Sequence, residues 1–288
     1  MTLRQAIAAA SKILSANPHL RDNASRDAEL LLLDQLNINR AQLFINTERE
    51  LTEEEESFFW QNIHRRAANE PIQYITGKQE FYGLNFHVTP AVLIPRPETE
   101  HLVEAVLQAL PHEKSLRILD VGTGSGILAV TLALHLPHAE ITAVDISSAA
   151  IAVARRNAEA HHVAHRIRLI QSDLLDQVPE GLYDAIVSNP PYVAETDRAT
   201  LHPQVRDYEP PTALFAGETG LDIYRRLIPQ AYRALKPAGL LTLEIGHDQQ
   251  DAIASLLQTW HNLSFINDLQ NIPRVALAWR PANLLKIR

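Results

Sequence analysis

The feature that most constrains the fold is an alternation of short apolar runs with helical segments in the second half of the chain. The runs "LRILDVG", "AEITAVD", "RIRLIQSD" and "YDAIVSN" predict strands, and amphipathic stretches precede and separate the first three. Strands that alternate with helices form a largely parallel sheet with helices on both faces. We therefore predict an α/β fold with a doubly wound sheet.

The part of the chain before these strands has a different pattern. Residues 1–72 contain successive helical stretches with short polar breaks, and the acidic run "TEEEE" has the spacing of a helix capping box at Thr52 and Glu55. The stretch "FYGLNFHV" alternates large apolar residues around Gly83, which predicts a short hairpin. We predict a helical domain at residues 1–72, a linker with a β-hairpin at 73–93, and a third domain at 94–288.

Composition limits the chemistry and the partners. The 288 residues include no cysteine, which excludes disulfides, thiolate metal sites and a cysteine nucleophile, and fits a reducing compartment such as the cytoplasm. No apolar run is long enough for a signal peptide or a membrane span, so we expect a soluble protein. The formal charge of −8 opposes sequence-blind binding of nucleic-acid backbones but leaves room for a local basic patch.

One histidine group resembles a metal site only superficially. In "HHVAH", His161 and His165 have helical i, i+4 spacing, with His162 between them. No carboxylate or further ligand stands at a recognisable spacing, and the group falls where a helix ends before a strand. We therefore expect no metal.

A glycine-rich turn follows the first predicted strand. In "ILDVGTGSGILAV", Gly122, Gly124 and Gly126 stand where a strand passes into a helix, so the backbone can approach a ligand and present N–H groups to it. A nicotinamide dinucleotide fingerprint requires glycine or alanine at the position of Ile127. The pattern therefore disfavours a Rossmann oxidoreductase.

Acidic residues follow the next two strands. Asp145 ends the second strand, where a carboxylate can accept hydrogen bonds from both ribose hydroxyls of a nucleoside. The third strand leads into "QSDLL", in which Asp173 can accept from an adenine amino group and Leu174 can cover the ring. Either aspartate alone could simply begin a turn. With the glycine turn and an Asn-Pro-Pro-Tyr after the fourth strand, this order resembles the class I S-adenosylmethionine-dependent methyltransferases, which implies a Rossmann-like fold.

The NPPY segment (residues 189–192) has the residue types needed to hold an amino group. The lone pair of an amide or aromatic amine is delocalised, so its nitrogen must be held firmly to attack a methyl group. The Asn189 side chain and the Pro190 carbonyl can accept both N–H bonds, and the φ angles of Pro190 and Pro191 are fixed. Tyr192 can pack against a planar group. We therefore predict catalytic roles for Asn189, Pro190 and Tyr192, and substrate binding by all four residues.

The sequence around these motifs narrows the resemblance. The stretches "PIQYITGKQEFYGLNFHVTPAVLIPRPETEHLVE", "LDVGTGSG", "VSNPPY", "VRDYEPPTALFAGETGLDIYRRL" and "LLTLEIGHDQ" closely resemble the PrmC/HemK family of release factor glutamine methyltransferases, along nearly the whole chain. The resemblance implies an enzyme of translation termination, which methylates the glutamine side-chain amide in the Gly-Gly-Gln motif of peptide-chain release factors.

The resemblance also implies roles for individual residues. The cofactor would be bound by Gly122, Thr123, Gly124, Ser125, Gly126, Asp145, Asp173, Leu174 and Asn189. The segment "IPRPETE" resembles the family's cover over the cofactor, although Arg96 and Glu98 could equally be residues at the start of a helix. Family members commonly have glycine where this chain has Asn271, in "DLQNIPRV". Asparagine tolerates the left-handed conformation well, so we expect the turn to be kept.

Two other functions remain as alternatives. An amino-group methyltransferase acting on a nucleic-acid base, at adenine N6 or guanine N2, would use the same chemistry, but the acidic charge opposes it. A protein that binds S-adenosylmethionine without catalysis would have little reason to keep Asn189 and Tyr192. The first interpretation predicts a protein partner, with no direct nucleic-acid or membrane binding.

Overall fold

The computed structural model describes residues 1–179 and 183–282, so residues 180–182 and 283–288 of the predicted third domain lie outside the described residues. The chain forms two compact units. One comprises Met1–Lys78 and Thr200–Tyr208, and the other comprises Gln79–Ala199 and Glu209–Arg288. We call them the helical unit and the sheet unit. The division differs from the sequence interpretation, which ended the helical domain at residue 72 and placed residues 200–208 in the third domain.

The helical unit begins with amphipathic helices whose apolar faces form one core. The helices are α1 Leu3–Ser15, α2 Ala24–Leu36, α3 Arg40–Ile45, α4 Glu53–Ala67 and α5 Ile72–Thr76. Leu3, Leu32 and Phe59 are among the fully buried side chains of this core. At the start of α4 the predicted capping box is present, since the Thr52 hydroxyl accepts from the Glu55 N–H and the Glu55 carboxylate accepts from the Thr52 N–H.

The second segment of the helical unit comes from far along the chain. It contains α9, Pro203–Tyr208. The Tyr208 hydroxyl donates to the Ala68 carbonyl at 2.8 Å, and the His202 ring meets the His19 ring edge-on at 5.2 Å between centroids. These contacts explain why residues 200–208 group with the N-terminal helices.

The predicted hairpin is present at the start of the sheet unit. Strand β1 is Lys78–Phe81 and strand β2 is Leu84–His87. The turn residues Tyr82 and Gly83 have φ angles of 53° and 73°. Two successive positive φ values are the geometry of a tight hairpin turn that matches strand twist.

The main sheet has seven strands among the described residues, in the order β5-β4-β3-β6-β7-β9-β8. Strands β3 to β7 are parallel, while β9 runs antiparallel to both β7 and β8. The strands are β3 Arg117–Val121, β4 Glu140–Asp145, β5 Ile167–Gln171, β6 Tyr183–Ser188, β7 Leu235–Glu244, β8 His261–Asn267 and β9 Pro273–Trp279. The helices are α6 Glu100–Ala109, α7 Ile127–His135, α8 Ser148–Ala160, α10 Asp222–Ala234 and α11 Gln250–Leu256.

The strand order places a topological switch point beside β3. The chain continues from β3 to β4 on one side, and β6 pairs with β3 on the other. In the register, Val121 pairs with Val144 and with Ser188. The residues that follow these strands therefore leave the sheet together at the carboxyl ends of the strands, where ligands bind in open α/β sheets. Within the described residues, no helix is both long and apolar enough to cross a membrane.

Candidate active site

A cavity of about 310 Å³ lies at the carboxyl ends of the parallel strands. Its size is near the lower end of the range of small-molecule sites, about 300–1,000 Å³. The lining comes from the segment before α6, from the loops after β3, β4, β5 and β6, from the first turns of α7 and α8, and from α10 with the segment before it. All of these elements belong to the sheet unit.

The glycine turn after β3 forms one wall of the cavity. Gly122, Thr123, Gly124 and Ser125 line it, and Gly126 does not. Gly124 has a φ of +54°, and a side chain there would meet no protein atom within 4 Å. Its backbone therefore faces space that a ligand can fill.

Gly126 has a different environment from the other two glycines. Its φ is +83°, and an added Cβ would lie 3.1 Å from the Cβ of Ala154 on α8. The absence of a side chain at this position lets α7 begin close to α8. The predicted cofactor contact of Gly126 stays a prediction, since the residue's surroundings are those of a packing glycine.

Asp145 is held in place at the end of β4. Its Oδ2 accepts from the Gly124 N–H at 2.9 Å, and its Oδ1 accepts from the Ser147 N–H at 2.9 Å. Burial raises the pKa of Asp145, against the lowering effect of these backbone hydrogen bonds. A carboxylate has about four lone-pair sites. Each oxygen therefore keeps capacity for one further donor, as a pair of ribose hydroxyls requires.

Asp173 and Leu174 line the cavity after β5. The Asp173 carboxylate already pairs with Arg226 of α10, with Oδ2 at 2.7 Å from the guanidinium. Leu174 has a φ of 48°, a left-handed conformation that is unusual for leucine. The structure thus brings both predicted adenine contacts to the cavity, and it adds Arg226 as a cationic neighbour that the sequence interpretation did not include.

The NPPY segment contributes to the cavity through two of its residues. Asn189 and Pro191 line the cavity, whereas Pro190 and Tyr192 do not. The Asn189 side-chain NH₂ donates to the Thr99 hydroxyl oxygen at 3.1 Å. Among the described residues nothing donates to Asn189 Oδ1. This carbonyl oxygen is therefore free to accept a hydrogen bond.

Tyr192 is held from several directions. Its hydroxyl donates to Glu244 Oε1 at 3.2 Å, and its carbonyl accepts from the side chain of Gln249 at 3.1 Å. An added Cβ at Gly220 would lie 2.2 Å from the Tyr192 carbonyl oxygen, and one at Gly246 would lie 3.0 Å from the ring. Both glycines leave room for the tyrosine. Burial raises the pKa of Tyr192 above its usual range, so its hydroxyl stays protonated.

The segment before α6 covers part of the cavity. Arg96 lines it and forms an ion pair with Glu209, which also accepts from the Ile94 N–H at 3.3 Å. The Glu209 side chain is fully buried, and burial raises its pKa while Arg96 lowers it. Glu98 does not line the cavity. The sequence left the roles of Arg96 and Glu98 open, and of these two residues Arg96 alone lines the cavity.

Several residues of the site carried no predicted role. Thr99 and Glu209 stand in "IPRPETE" and "YEPPTALF", which contributed to the family resemblance without a function for each residue. Phe215 also lines the cavity. Glu244 is buried at the end of β7, and burial raises its pKa to about 7. Its position at a strand end was the one available signal.

The site fits S-adenosylmethionine. Gly124 leaves open space beside the glycine turn, Asp145 keeps two acceptor sites, and Asn189 presents a free carbonyl oxygen. This combination on a doubly wound sheet defines a class I S-adenosylmethionine-dependent methyltransferase. The Methyltransferase small domain family matches residues 99–204, and the PrmC N-terminal domain family matches residues 5–77. Together with the full-length relatives described next, these matches show that the chain belongs to the release factor glutamine methyltransferase family.

Two curated relatives illustrate the similarity. The release factor glutamine methyltransferase of Koribacter versatilis is 48% identical over 284 residues, which cover 98% of this chain and 100% of the relative. That of Moorella thermoacetica is 44% identical over 283 residues, which cover 97% and 99%.

Solved structures share the fold at lower identity. The hMettl16 catalytic domain, solved with a MAT2A hairpin, matches with a TM-score of 0.56 at 17% identity, covering 90% of this chain and 92% of that one. The T. thermophilus 16S rRNA N2 methyltransferase RsmC, solved with AdoMet and guanosine, matches with a TM-score of 0.54 at 21% identity, covering 70% and 49%. At these identities the likeness establishes the fold alone.

Proposed function

We propose that the protein methylates the side-chain amide nitrogen of the glutamine in the Gly-Gly-Gln motif of peptide-chain release factors. This proposal rests on the hydrogen bonding of the Asn189 side chain. Its NH₂ group is engaged by Thr99, so its carbonyl oxygen is the free group at the cavity. A free acceptor suits a substrate that brings an NH₂ group, such as a primary amide.

The NPPY segment supplies the positioning that this reaction needs. S-adenosylmethionine supplies an electrophilic methyl group on a sulfonium. The Asn189 Oδ1 and the Pro190 carbonyl accept the two N–H bonds of the glutamine amide and direct its nitrogen toward the methyl group. The nitrogen would form the new C–N bond as the bond between the methyl group and sulfur breaks, which leaves S-adenosylhomocysteine, and the nitrogen would then lose one proton to water. Because the proline rings fix the backbone of the segment, little ordering is needed during the reaction.

Tyr192 acts through its ring and its neutral hydroxyl. Its pKa lies above the usual range, so a phenolate is not available as a base. The hydroxyl is committed to Glu244, which leaves the aromatic face to pack against the planar amide. Pro191 lines the cavity and completes this substrate-binding surface.

The cofactor would be bound mainly by backbone and carboxylate groups. Gly122, Gly124 and their neighbours would contact its methionine end, and Asp145 would accept from the ribose hydroxyls. Asp173 and Leu174 would contact the adenine. Since Arg226 already occupies part of the Asp173 carboxylate, we propose that the adenine amino group shares this carboxylate with the guanidinium.

The helical unit is our candidate for recognition of the release factor. It has a groove of about 640 Å³ lined by residues of α1, α2 and α3. At its rim Phe44 is 82% exposed, and the adjacent Ile45 is 78% exposed. Arg4 and Arg40, which line the groove, are paired with Glu48 and Glu29. Exposed apolar side chains with neutralised charges around them favour a protein partner over a phosphate backbone.

The leading alternative is methylation of a nucleic-acid base by the same site. Asn189 could hold an exocyclic amino group as well as an amide. The formal charge of −8 opposes backbone binding, and we therefore expect no direct nucleic-acid binding. A release factor substrate also fits the cytoplasmic location predicted from the sequence, which stays a prediction.

Labelled S-adenosylmethionine distinguishes the candidates. The protein is incubated with unmodified release factor, with ribosomal RNA and with DNA, and the labelled product is identified. We expect one methyl group on the glutamine of the Gly-Gly-Gln motif, located by mass spectrometry of a proteolytic peptide. Label on a nucleic-acid base, or on another side chain of the release factor, would reject the proposal.

A further inference from the structure

The orientation of the Asn189 amide depends on a residue that is placed unusually. Thr99 precedes α6 at the position where a threonine normally caps the helix with its side-chain oxygen. Here it makes no side-chain cap, and its backbone is already helical, with φ −66° and ψ −19°. The fully buried hydroxyl instead accepts from Asn189 Nδ2 at 3.1 Å. The side chain is thus used by the NPPY segment and not by its own helix.

The Thr99 hydroxyl must also donate its own proton to a hydrogen-bond acceptor. A hydroxyl has one O–H donor and two acceptor lone pairs. Asn189 occupies an acceptor side, so the proton needs a different partner. The Glu244 carboxyl group is near enough for its pKa to respond: burial raises this pKa, and the Thr99 hydroxyl lowers it more than the Tyr192 hydroxyl does.

Glu244 is suited to accept from both hydroxyls. It is buried at the end of β7, and its Oε1 accepts from Tyr192. Its Oε2 has no hydrogen-bond partner among the described residues, so acceptor capacity remains. Above about pH 7 the ionised form of this carboxyl group predominates. An ionised carboxylate accepts only, and it therefore fixes the direction of every hydrogen bond made to it.

We propose that Thr99 and Glu244 are positioning residues for methyl transfer. Glu244 takes the Thr99 hydroxyl proton, so Thr99 must accept from the Asn189 NH₂, and the Asn189 carbonyl oxygen is thereby kept available for the substrate amide. The same carboxylate holds the Tyr192 hydroxyl, so one buried group orients both the first and the last residue of the NPPY segment. This inference rests on the proposed function and assigns two further residues to it.

The arrangement gives the buried carboxylate a role at this place. Without Thr99 and Glu244 the Asn189 amide could turn over, because its oxygen and nitrogen ends have nearly the same shape. A turned amide would present donors to a substrate that itself brings donors. The substrate nitrogen would then be held by one acceptor, the Pro190 carbonyl, instead of two. Its alignment with the methyl group would be lost.

The test compares Thr99→Val, which keeps the shape and removes the hydroxyl, with Thr99→Ser, which keeps the hydroxyl. In single-turnover methylation of release factor, we expect Thr99→Val to be slower by about 10- to 100-fold, the size of loss typical when the hydrogen-bond partner that orients a metal ligand is removed. S-adenosylmethionine affinity, measured by calorimetry, should stay close to that of the unmodified protein. Thr99→Ser should recover most of the rate.

A matched control separates positioning from the general effect of a buried threonine. Thr131 is fully buried on α7, and its hydroxyl has no partner among the described residues. Thr131→Val should therefore leave the rate unchanged. Glu244→Gln should slow the reaction as Thr99→Val does, and the double variant should be no slower than the slower single variant, because both act through Asn189. Fully additive losses in rate would show that Thr99 and Glu244 act independently and would overturn the proposal.

A spectroscopic measurement makes the result independent of the substrate. With isotope-labelled asparagine, the two side-chain N–H signals of Asn189 report its hydrogen bond in the absence of any release factor. We expect these signals to shift in Thr99→Val and in Glu244→Gln, and to stay in place in Thr131→Val. Unchanged signals would overturn the inference even if the unmodified protein methylates release factor. Shifted signals with no methylation by the unmodified protein would support the orientation of Asn189 by Thr99 and Glu244, and would reject the proposed function alone.

Discussion

The backbone N–H of Gly124 donates to Oδ2 of Asp145 at 2.9 Å, which ties the glycine turn after β3 to the end of β4. The contact joins the two groups that would hold opposite parts of the cofactor. It also fixes the rotation of the carboxylate, since Ser147 holds the other oxygen. Loss of the Asp145 side chain should therefore affect both cofactor contacts and the shape of the turn.

We predict that Asp145→Ala weakens S-adenosylmethionine binding by about 1–3 kcal/mol, the cost of removing a buried hydrogen-bonding partner. Calorimetry measures the change, and S-adenosylhomocysteine should be affected equally because it presents the same ribose. Asp176→Ala is the control, since Asp176 is exposed and does not line the cavity. Equal dissociation constants for Asp145→Ala and the unmodified protein would count against the ribose role.

For Asn189 we predict a loss in the chemical step. Asn189→Ala should slow single-turnover methyl transfer by about 10²–10³, because a pre-organised polar contact at the reacting group is removed. S-adenosylmethionine binding should change much less. Asn189→Asp keeps an acceptor but adds negative charge beside the cofactor, and it should retain more activity than the alanine variant. Asn85→Ala, on the exposed side of β2, should behave like the unmodified protein, and a wild-type rate for Asn189→Ala would reject the mechanism.

Alanine substitutions at two glycines of the turn should separate a loss of stability from a loss of cofactor affinity. Gly124→Ala and Gly126→Ala both place alanine at positive φ, which costs about 1–2 kcal/mol of stability. Gly126→Ala additionally forces a Cβ against Ala154 at 3.1 Å, so it should be the less stable variant in chemical denaturation. Gly124→Ala projects into the cavity and should lose more cofactor affinity than Gly126→Ala. The reverse order in either measurement would contradict the assignment.

The pH dependence of stability should show the titration of the Glu244 carboxyl group. Burial raises its pKa in the folded protein to about 7, against a usual value of 4.5. A raised folded-state pKa means that folding favours the protonated form. The resulting stabilisation is complete below pH 4.5 and is lost as the pH rises through about 7. The difference in unfolding free energy between the unmodified protein and Glu244→Gln should therefore fall across this window, by at most about 1.4 kcal/mol per pH unit.

The charged neighbours of Glu244 are the same in both proteins. They are Glu98, which raises its pKa, and Arg274, which lowers it, while Tyr192 and Tyr224 stay protonated because burial raises their own pKa values. Their effects cancel in the difference. Parallel stability curves from pH 4.5 to 7 would show that Glu244 does not titrate there.

The helical unit should contribute to substrate binding and not to chemistry. Phe44→Ala should raise the KM for release factor by about tenfold, the effect of removing an exposed apolar anchor. The turnover number at saturating substrate and the affinity for S-adenosylmethionine should not change. Leu269→Ala is the control, since Leu269 is 96% exposed in the sheet unit. An unchanged KM for Phe44→Ala would place recognition elsewhere.

The strands and the main motifs were predictable because their signals are local. Apolar runs and a turn of glycines need only a few neighbouring residues, and the parallel strands β3 to β6 are where the pattern predicted them. The left-handed turn expected at Asn271 is also confirmed, with a φ of 62°. Short sequence windows carry this information because hydrophobic period and turn chemistry act locally.

The contacts that orient the site could not be predicted in this way. Thr99 and Asn189 are 90 residues apart, and Tyr192 and Glu244 are 52 residues apart. Nothing in "PETEH" marks its threonine as a partner of the NPPY segment and not as a helix cap. The antiparallel strands β8 and β9 were also not assigned, since "HNLSFIN" mixes polar residues with its apolar ones and gives a weak alternating pattern.

The two-part composition of the helical unit affects how the chain is made. A ribosome releases α1 to α5 first, but α9, the last piece of their unit, emerges only after β3 to β6 and the NPPY segment have been synthesised. Any packing of the N-terminal helices before that point therefore leaves the surface that Tyr208 and His202 contact uncovered while most of the parallel strands appear. A transplant of this unit onto another enzyme would likewise need two pieces of chain, since residues 1–78 alone omit the segment that Tyr208 and His202 anchor.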